Sequence, residues 1–90
     1  MAKVTNLNGM KDNYPPSEYK TWKEWWEDKK GSKFSKCSGI LCTKDATVGA
    51  PVNKVDGDNT WYIVPLCDGC NKNPPTRQFE VSDADLEAIK

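Results

Sequence analysis

The chain contains no histidine. This removes the side chain most often used as a general base near neutral pH, and it removes every mixed cysteine–histidine metal site. Any centre for a soft metal must therefore be carried by cysteine alone. No apolar run approaches the length of a membrane span, so a spanning helix is excluded. The start, Met1 to Leu7, lacks the apolar core of a signal peptide, which points to a cytoplasmic protein with no membrane partner. Net charge is also absent, because 13 basic residues balance 13 acidic ones. A strongly electrostatic partner is not demanded, yet the charges are segregated. Residues 1–54 hold ten lysines against six acids, whereas residues 55–90 hold three bases against seven. The molecule is expected to be polarised.

Four cysteines are present, in two close pairs: Cys37-x4-Cys42 and Cys67-x2-Cys70. Two short-spaced pairs brought together by folding supply four thiolates in a tetrahedron, the arrangement zinc prefers. Cys37, Cys42, Cys67 and Cys70 are accordingly the expected ligands of one structural Zn²⁺. The competing reading is two disulfides, since an even cysteine count in a short chain also marks a secreted, bridged scaffold. Ninety residues make a single small domain, near the size at which a core alone is marginal and a staple is needed. A structural zinc contributes on the order of 10 kcal/mol of apparent binding free energy, comparable to the whole net stability of a domain.

Residues 1–16 read as an N-terminal extension rich in turn formers, with at most a short strand at Val4 to Leu7. Pro15-Pro16-Ser17 then supplies a stop and an N-cap for an aromatic helix over 17–30, ended by Gly31. Tyr19, Trp22 and Trp26 fall on one face of it and Trp25 one residue to the side. The stripe is expected to form core, with Trp25 the most exposed member. Lys20 with Glu24, and Lys23 with Glu27, are spaced as i,i+4 pairs. Beyond lies a basic stretch. Lys29, Lys30, Lys33, Lys36 and Lys44, with no acid between Asp28 and Asp45, are candidate phosphate contacts; the simpler reading is a solvated lysine loop.

From Cys37 the pattern changes to a knuckle, Cys37-Ser38-Gly39-Ile40-Leu41-Cys42, whose amides are placed to donate to thiolate sulfur. Thr47–Val52 and Thr60–Val64 read as a hairpin with a long polar tip. The first proline of Asn71-Lys72-Asn73-Pro74-Pro75 limits any helix after the second pair to about one turn. Residues 76–90 complete the domain with an edge strand, Phe79 and Val81 inward, and a short C-terminal helix capped by Ser82.

Cys37-x4-Cys42, Val48-Gly49-Ala50-Pro51-Val52, and Trp61-Tyr62-Ile63-Val64-Pro65-Leu66-Cys67-x2-Cys70-Asn71 together resemble small bacterial and phage proteins related to the His-Asn-His (HNH) endonucleases. The resemblance covers residues 37–71. It implies a small α+β fold with a zinc-stabilised treble-clef, or ββα-metal, core over that stretch. It also implies a histidine where this chain has Pro51; Asn71 matches the family asparagine. Phosphodiester hydrolysis needs an activated water and a charge sink, and four thiolates leave zinc no open position. The resemblance therefore implies the fold without the activity, with no catalytic residue to name. A magnesium site among Asp45, Asp56, Asp58 and Asp68 would be the exception, although scattered loop acids are normally solvated. Three functions follow: a non-catalytic zinc-binding module that engages another protein, as an accessory protein of bacterial or phage origin; a nucleic-acid-binding module using the lysine loop; and an HNH-like nuclease with an atypical site.

Overall fold

The computed structural model describes residues 2–7, 17–40, 42–55, 57, 60–72 and 77–89. Pro15-Pro16, Leu41, Asp56, Asp58, Asn73 to Thr76 and Lys90, on which some expectations fall, lie outside these residues. The architecture is small α+β. Five strands, β1 (Ala2–Asn6), β2 (Val48–Lys54), β3 (Trp61–Leu66), β4 (Gln78–Val81) and β5 (Glu87–Ala88), form one antiparallel sheet in the order β4-β1-β2-β3-β5. Two helices join it, α1 (Trp22–Lys30) and the single turn α2 (Asp68–Asn71). No helix among the described residues is long and apolar enough to cross a membrane.

The β2–β3 hairpin is the expected one, with Val48 opposite Leu66 and Asn53 opposite Trp61. Its second strand, β3, reads as an unbroken apolar run because it is covered on both faces. Val64 and Leu66 join one cluster with Val4, Val52, Val81, Cys37 and Cys67. Ile63, pointing the other way, joins Trp22, Trp25 and Trp26. Both strand prolines sit where the ladder needs no donor. The Pro51 carbonyl accepts from Leu7 just beyond the end of β1, and the Pro65 carbonyl accepts from Ser38 on the side away from β2.

β1 is more than an extension. It lies between β4 and β2, pairing Val4 with both Phe79 and Lys54. Ala2, Val4 and Asn6 all point inward. The expected edge strand is present as β4, with Val81 buried and Phe79 half-buried. Its outer side is partly closed by the knuckle, since Gly39 pairs with Val81 and the Ile40 amide donates to the Glu80 carbonyl.

The aromatic helix begins later than 17. Ser17 and Glu18 form a turn, and Thr21 is the N-cap, accepting from the Glu24 amide at 3.2 Å. Thr21-Trp22-Lys23-Glu24 is itself the Ser/Thr-x-x-Glu signature of a helix start. With this start Trp22, Trp25 and Trp26 stand at i, i+3 and i+4, a single face. Trp25 is consequently not the exposed member; it is 5% accessible, against 9% for Trp22. Gly31 ends the helix as expected, at φ 70°, with its amide on the Glu27 carbonyl. Of the expected polar pairs, Lys23 lies over the Phe34 ring and Glu27 accepts the Phe34 amide at 2.8 Å. Tertiary partners outcompete the weak i,i+4 contacts.

The C-terminal helix is not formed. A single 3-10 turn at Asp83–Asp85 leads into β5, and Ser82 makes no side-chain cap there. Tertiary donors take the carbonyls a helix would use. Trp26 Nε1 donates to the Asp85 carbonyl at 2.7 Å and Lys30 Nζ to that of Leu86 at 2.9 Å. A nine-residue segment is too short to resist this.

The first turn of α1 rests directly on Gly49 of β2. A β-carbon added at Gly49 would lie 2.8 Å from the Trp22 carbonyl carbon and 2.9 Å from the Lys23 amide nitrogen, both backbone atoms. Gly49→Ala is therefore expected to displace α1 and cost about 1–3 kcal/mol. Chemical denaturation of the metal-saturated protein, followed by tryptophan fluorescence, checks this; an unchanged midpoint would show that the helix does not dock as described.

Candidate metal centre

The hairpin places its base beside the two cysteine pairs, and each pair is set by local backbone structure. The knuckle starts as the chain leaves an isolated pairing of Lys36 with Asp45. The Cys37 amide donates to the Lys44 carbonyl at 2.9 Å and the Cys42 amide to that of Gly39 at 3.0 Å, closing the loop. The Ser38 amide is held by the Pro65 carbonyl at 2.8 Å, and the Ser38 carbonyl accepts from the Ser82 amide at 3.2 Å. The knuckle is thus clamped between the end of β3 and the end of β4. The second pair opens α2, with Cys67 as N-cap and its sulfur accepting from the Cys70 amide at 3.4 Å.

The four sulfurs converge. Sγ atoms of Cys37, Cys42, Cys67 and Cys70 all lie within 4.8 Å of one another, and Cys42 Sγ is 3.7 Å from Cys67 Sγ. A tetrahedron with metal–sulfur bonds of about 2.3 Å has edges of about 3.8 Å. All four cysteines are free. Cys37 and Cys67 are buried, Cys42 and Cys70 half-buried. Among the described residues this is the only group of three or more side chains that could hold a metal ion. Asp45 and Asp68 join no group of three possible ligands among the described residues; Asp45 pairs with Lys36 at 2.9 Å and Asp68 with Lys72 at 3.2 Å. Asp56 and Asp58 lie outside the described residues.

The environment distinguishes the thiols. Burial pushes the Cys37 thiol up, against amides of Cys67 and Gly39 that favour its thiolate. Burial, reinforced by the neighbouring sulfurs of Cys67, Cys37 and Cys42, pushes Cys70 well above the usual thiol range. The Cys70 amide aimed at Cys67 brings that thiol down to about 7. Without a positive charge, four crowded sulfurs cannot all ionise. A divalent cation at their centre resolves the conflict by stabilising every thiolate at once.

One residue that holds this geometry was legible only as a turn former. Asn6, fully buried on β1, donates from Nδ2 to the Asn71 carbonyl at 2.9 Å and the Cys70 carbonyl at 3.4 Å. It ties the C-terminal end of α2 to the sheet and so fixes where Cys70 stands. The signal was its place at an inward position in the alternation Ala2, Val4, Asn6.

The candidate phosphate-binding lysines are partly gathered. Lys30, Lys33 and Lys36 line one cleft beside the knuckle, and Lys29 and Lys44 are not part of its lining. Each of the three has an acid near it: Lys30 pairs with Glu87 at 3.2 Å, Lys33 lies 3.9 Å from Glu27, and Lys36 pairs with Asp45.

Two outcomes follow for the centre. Asn6→Leu removes both donors to α2 at similar volume, and metal affinity is expected to fall about 10–100-fold; unchanged affinity in a chelator competition would assign Asn6 to packing alone. At neutral pH at least the Cys37 and Cys70 protons must leave when metal binds, because both thiols are pushed up. Affinity is therefore expected to fall with decreasing pH by at least about a hundredfold per unit below pH 7. Competition titrations at several pH values measure this slope, and a flat profile would contradict thiolate ligation.

Comparison with protein-family models, curated proteins and solved structures gives no match, so the HNH resemblance rests on the residues of 37–71 themselves.

Proposed function

We propose that this chain is a non-catalytic module organised around one structural zinc ion, and that its role is to bind another protein. The observation that carries the reading is the convergence of four sulfurs within 4.8 Å. Soft thiolate donors in a tetrahedral set select zinc or iron among common metals, and zinc suits a site whose work is structural. The order knuckle, hairpin, helical turn with ligands in its first turn supports a treble-clef core and an HNH-like ancestry. Three features argue against retained hydrolysis. Pro51 stands at the family's histidine position, four thiolates close the coordination sphere, and α2 is one turn long, too short to carry a row of phosphate-gripping side chains. A thiolate centre of this kind belongs in a reducing compartment, consistent with a cytoplasmic accessory protein of bacterial or phage origin.

Native mass spectrometry of protein purified without chelator, with a thiol count in denaturant, tests the metal. One zinc and four titratable thiols are expected. No metal and no free thiols would replace the zinc module with a disulfide-bridged one. A plasmid-nicking assay with Mg²⁺, Mn²⁺ and Zn²⁺ tests the catalytic claim; metal-dependent nicking abolished by Asn71→Ala would overturn it.

A further inference from the structure

The four sulfurs are not equally enclosed. Cys37 and Cys67 are buried, while Cys42 and Cys70 are half-buried. Of the four, Cys70 also stands in the lining of a cleft of about 280 Å³ between the knuckle and β4, together with Gly39, Ile40 and Phe79. Gly39 lies directly against the sulfurs. A β-carbon there would be 3.4 Å from Cys70 Sγ and 3.6 Å from Cys37 Sγ. The residue that is both in the cleft lining and against the Cys70 sulfur therefore brings no side chain to cover it. Both distances are ordinary contacts and Gly39 does not have a positive φ, so a methyl group would fit there without strain.

Zinc would hold each of these ligands as a thiolate, the nucleophilic form of cysteine. Oxidation of a thiolate follows its exposure, and it stays reversible where a second sulfur is near enough to close a disulfide. Cys70 meets both conditions, since the other three sulfurs all lie within 4.8 Å. A carbon electrophile would need only the exposed thiolate and would gain nothing from those neighbours. The cleft also favours a small reagent. It falls below the volume of about 300 Å³ at which pockets for drug-sized ligands begin, yet holds several times the share of a water molecule, about 30 Å³.

We propose that Cys70 is a site of reversible oxidation by a hydroperoxide, entered through this cleft, and that its oxidation releases the metal; this rests on the zinc reading above. The Cys70 thiolate attacks one oxygen of the peroxide, an S–O bond forms and the O–O bond breaks. Hydroxide leaves and takes a proton from solvent to become water. Cys70 is now a sulfenic acid, oxidised by two electrons, and the peroxide is reduced by two. A second thiolate of the cluster then attacks the Cys70 sulfur. The S–O bond breaks, a second hydroxide leaves as water, and a disulfide forms. Two of the four thiolates are consumed, and two are too few to retain zinc. The same sulfurs thus serve the metal-bound state and a disulfide-bridged state in turn.

The test exposes the whole zinc-loaded protein to a few equivalents of hydrogen peroxide, with a chromophoric indicator to follow zinc and dimedone to trap sulfenic acid. Mass spectrometry of peptides then locates the adduct and any disulfide. The first adduct is expected at Cys70, and, without the trap, zinc release is expected to accompany a disulfide that includes Cys70 and is reversed by dithiothreitol. Gly39→Ala places a methyl group against the Cys70 sulfur. The rate of peroxide-driven zinc release, taken relative to the rate of loss to a chelator in the same variant, is expected to fall about tenfold. That ratio is insensitive to a general change in zinc affinity. A first adduct at Cys42, Cys37 or Cys67, no zinc release, or an unchanged ratio in Gly39→Ala would overturn the proposal. Zinc content at the start separates the two readings. One zinc that peroxide does not release removes the oxidation site alone, whereas a protein that takes up no zinc removes both.

Discussion

Two segments separated by a hairpin must deliver two sulfurs each to one point, and most of the fold serves that constraint. Neither pair can form a centre alone. The knuckle contributes Cys37 and Cys42 only because its backbone is pinned to Pro65 on one side and to Glu80 and Ser82 on the other. The turn α2 contributes Cys67 and Cys70 only because β3 ends at Leu66 and Asn6 holds the far end of the turn. Strand pairing and sulfur convergence therefore reinforce each other. Loss of strand pairing would separate the two cysteine pairs, and neither pair alone offers four sulfurs to a metal.

The opposite face of the sheet is organised differently. Trp22, Trp25 and Trp26 cover Ile63 with edge-to-face ring contacts, 5.1 Å between Trp22 and Trp25 and 5.2 Å between Trp26 and Phe34. The two sides communicate through the last residues. Asp85 receives Trp26 through its carbonyl and Ser38 through its carboxylate, so a single residue touches both the aromatic helix and the knuckle. The same segment borders the lysine-lined cleft.

Much of this was readable from residue order. Cysteine spacing located the centre, alternation located the hairpin and β4, and Gly31 located the end of α1. Competition between local and long-range partners hid the rest. Ser17 and Ser82 both have the chemistry of a helix cap, yet Thr21 caps α1, and Ser82 uses its amide to bind Ser38 instead. The C-terminal segment has a plausible helical pattern, but Trp26 and Lys30 claim its carbonyls from sixty residues away in sequence or nearly so. The place of β1 between β4 and β2 depends on two pairings with distant strands, which a five-residue run with a polar inward end cannot announce. Convergence of Lys30, Lys33 and Lys36 on one cleft likewise depends on the turn after Gly31.

The central claim is a single tetrahedral centre made by Cys37, Cys42, Cys67 and Cys70. Cobalt(II) substitution followed by absorption spectroscopy tests it most directly, because cobalt adopts the same geometry as zinc and its bands report both ligand number and sulfur content. One equivalent of cobalt giving intense tetrahedral bands with strong sulfur-to-metal charge transfer is the predicted result. A weak octahedral spectrum, or saturation at a different stoichiometry, would contradict it.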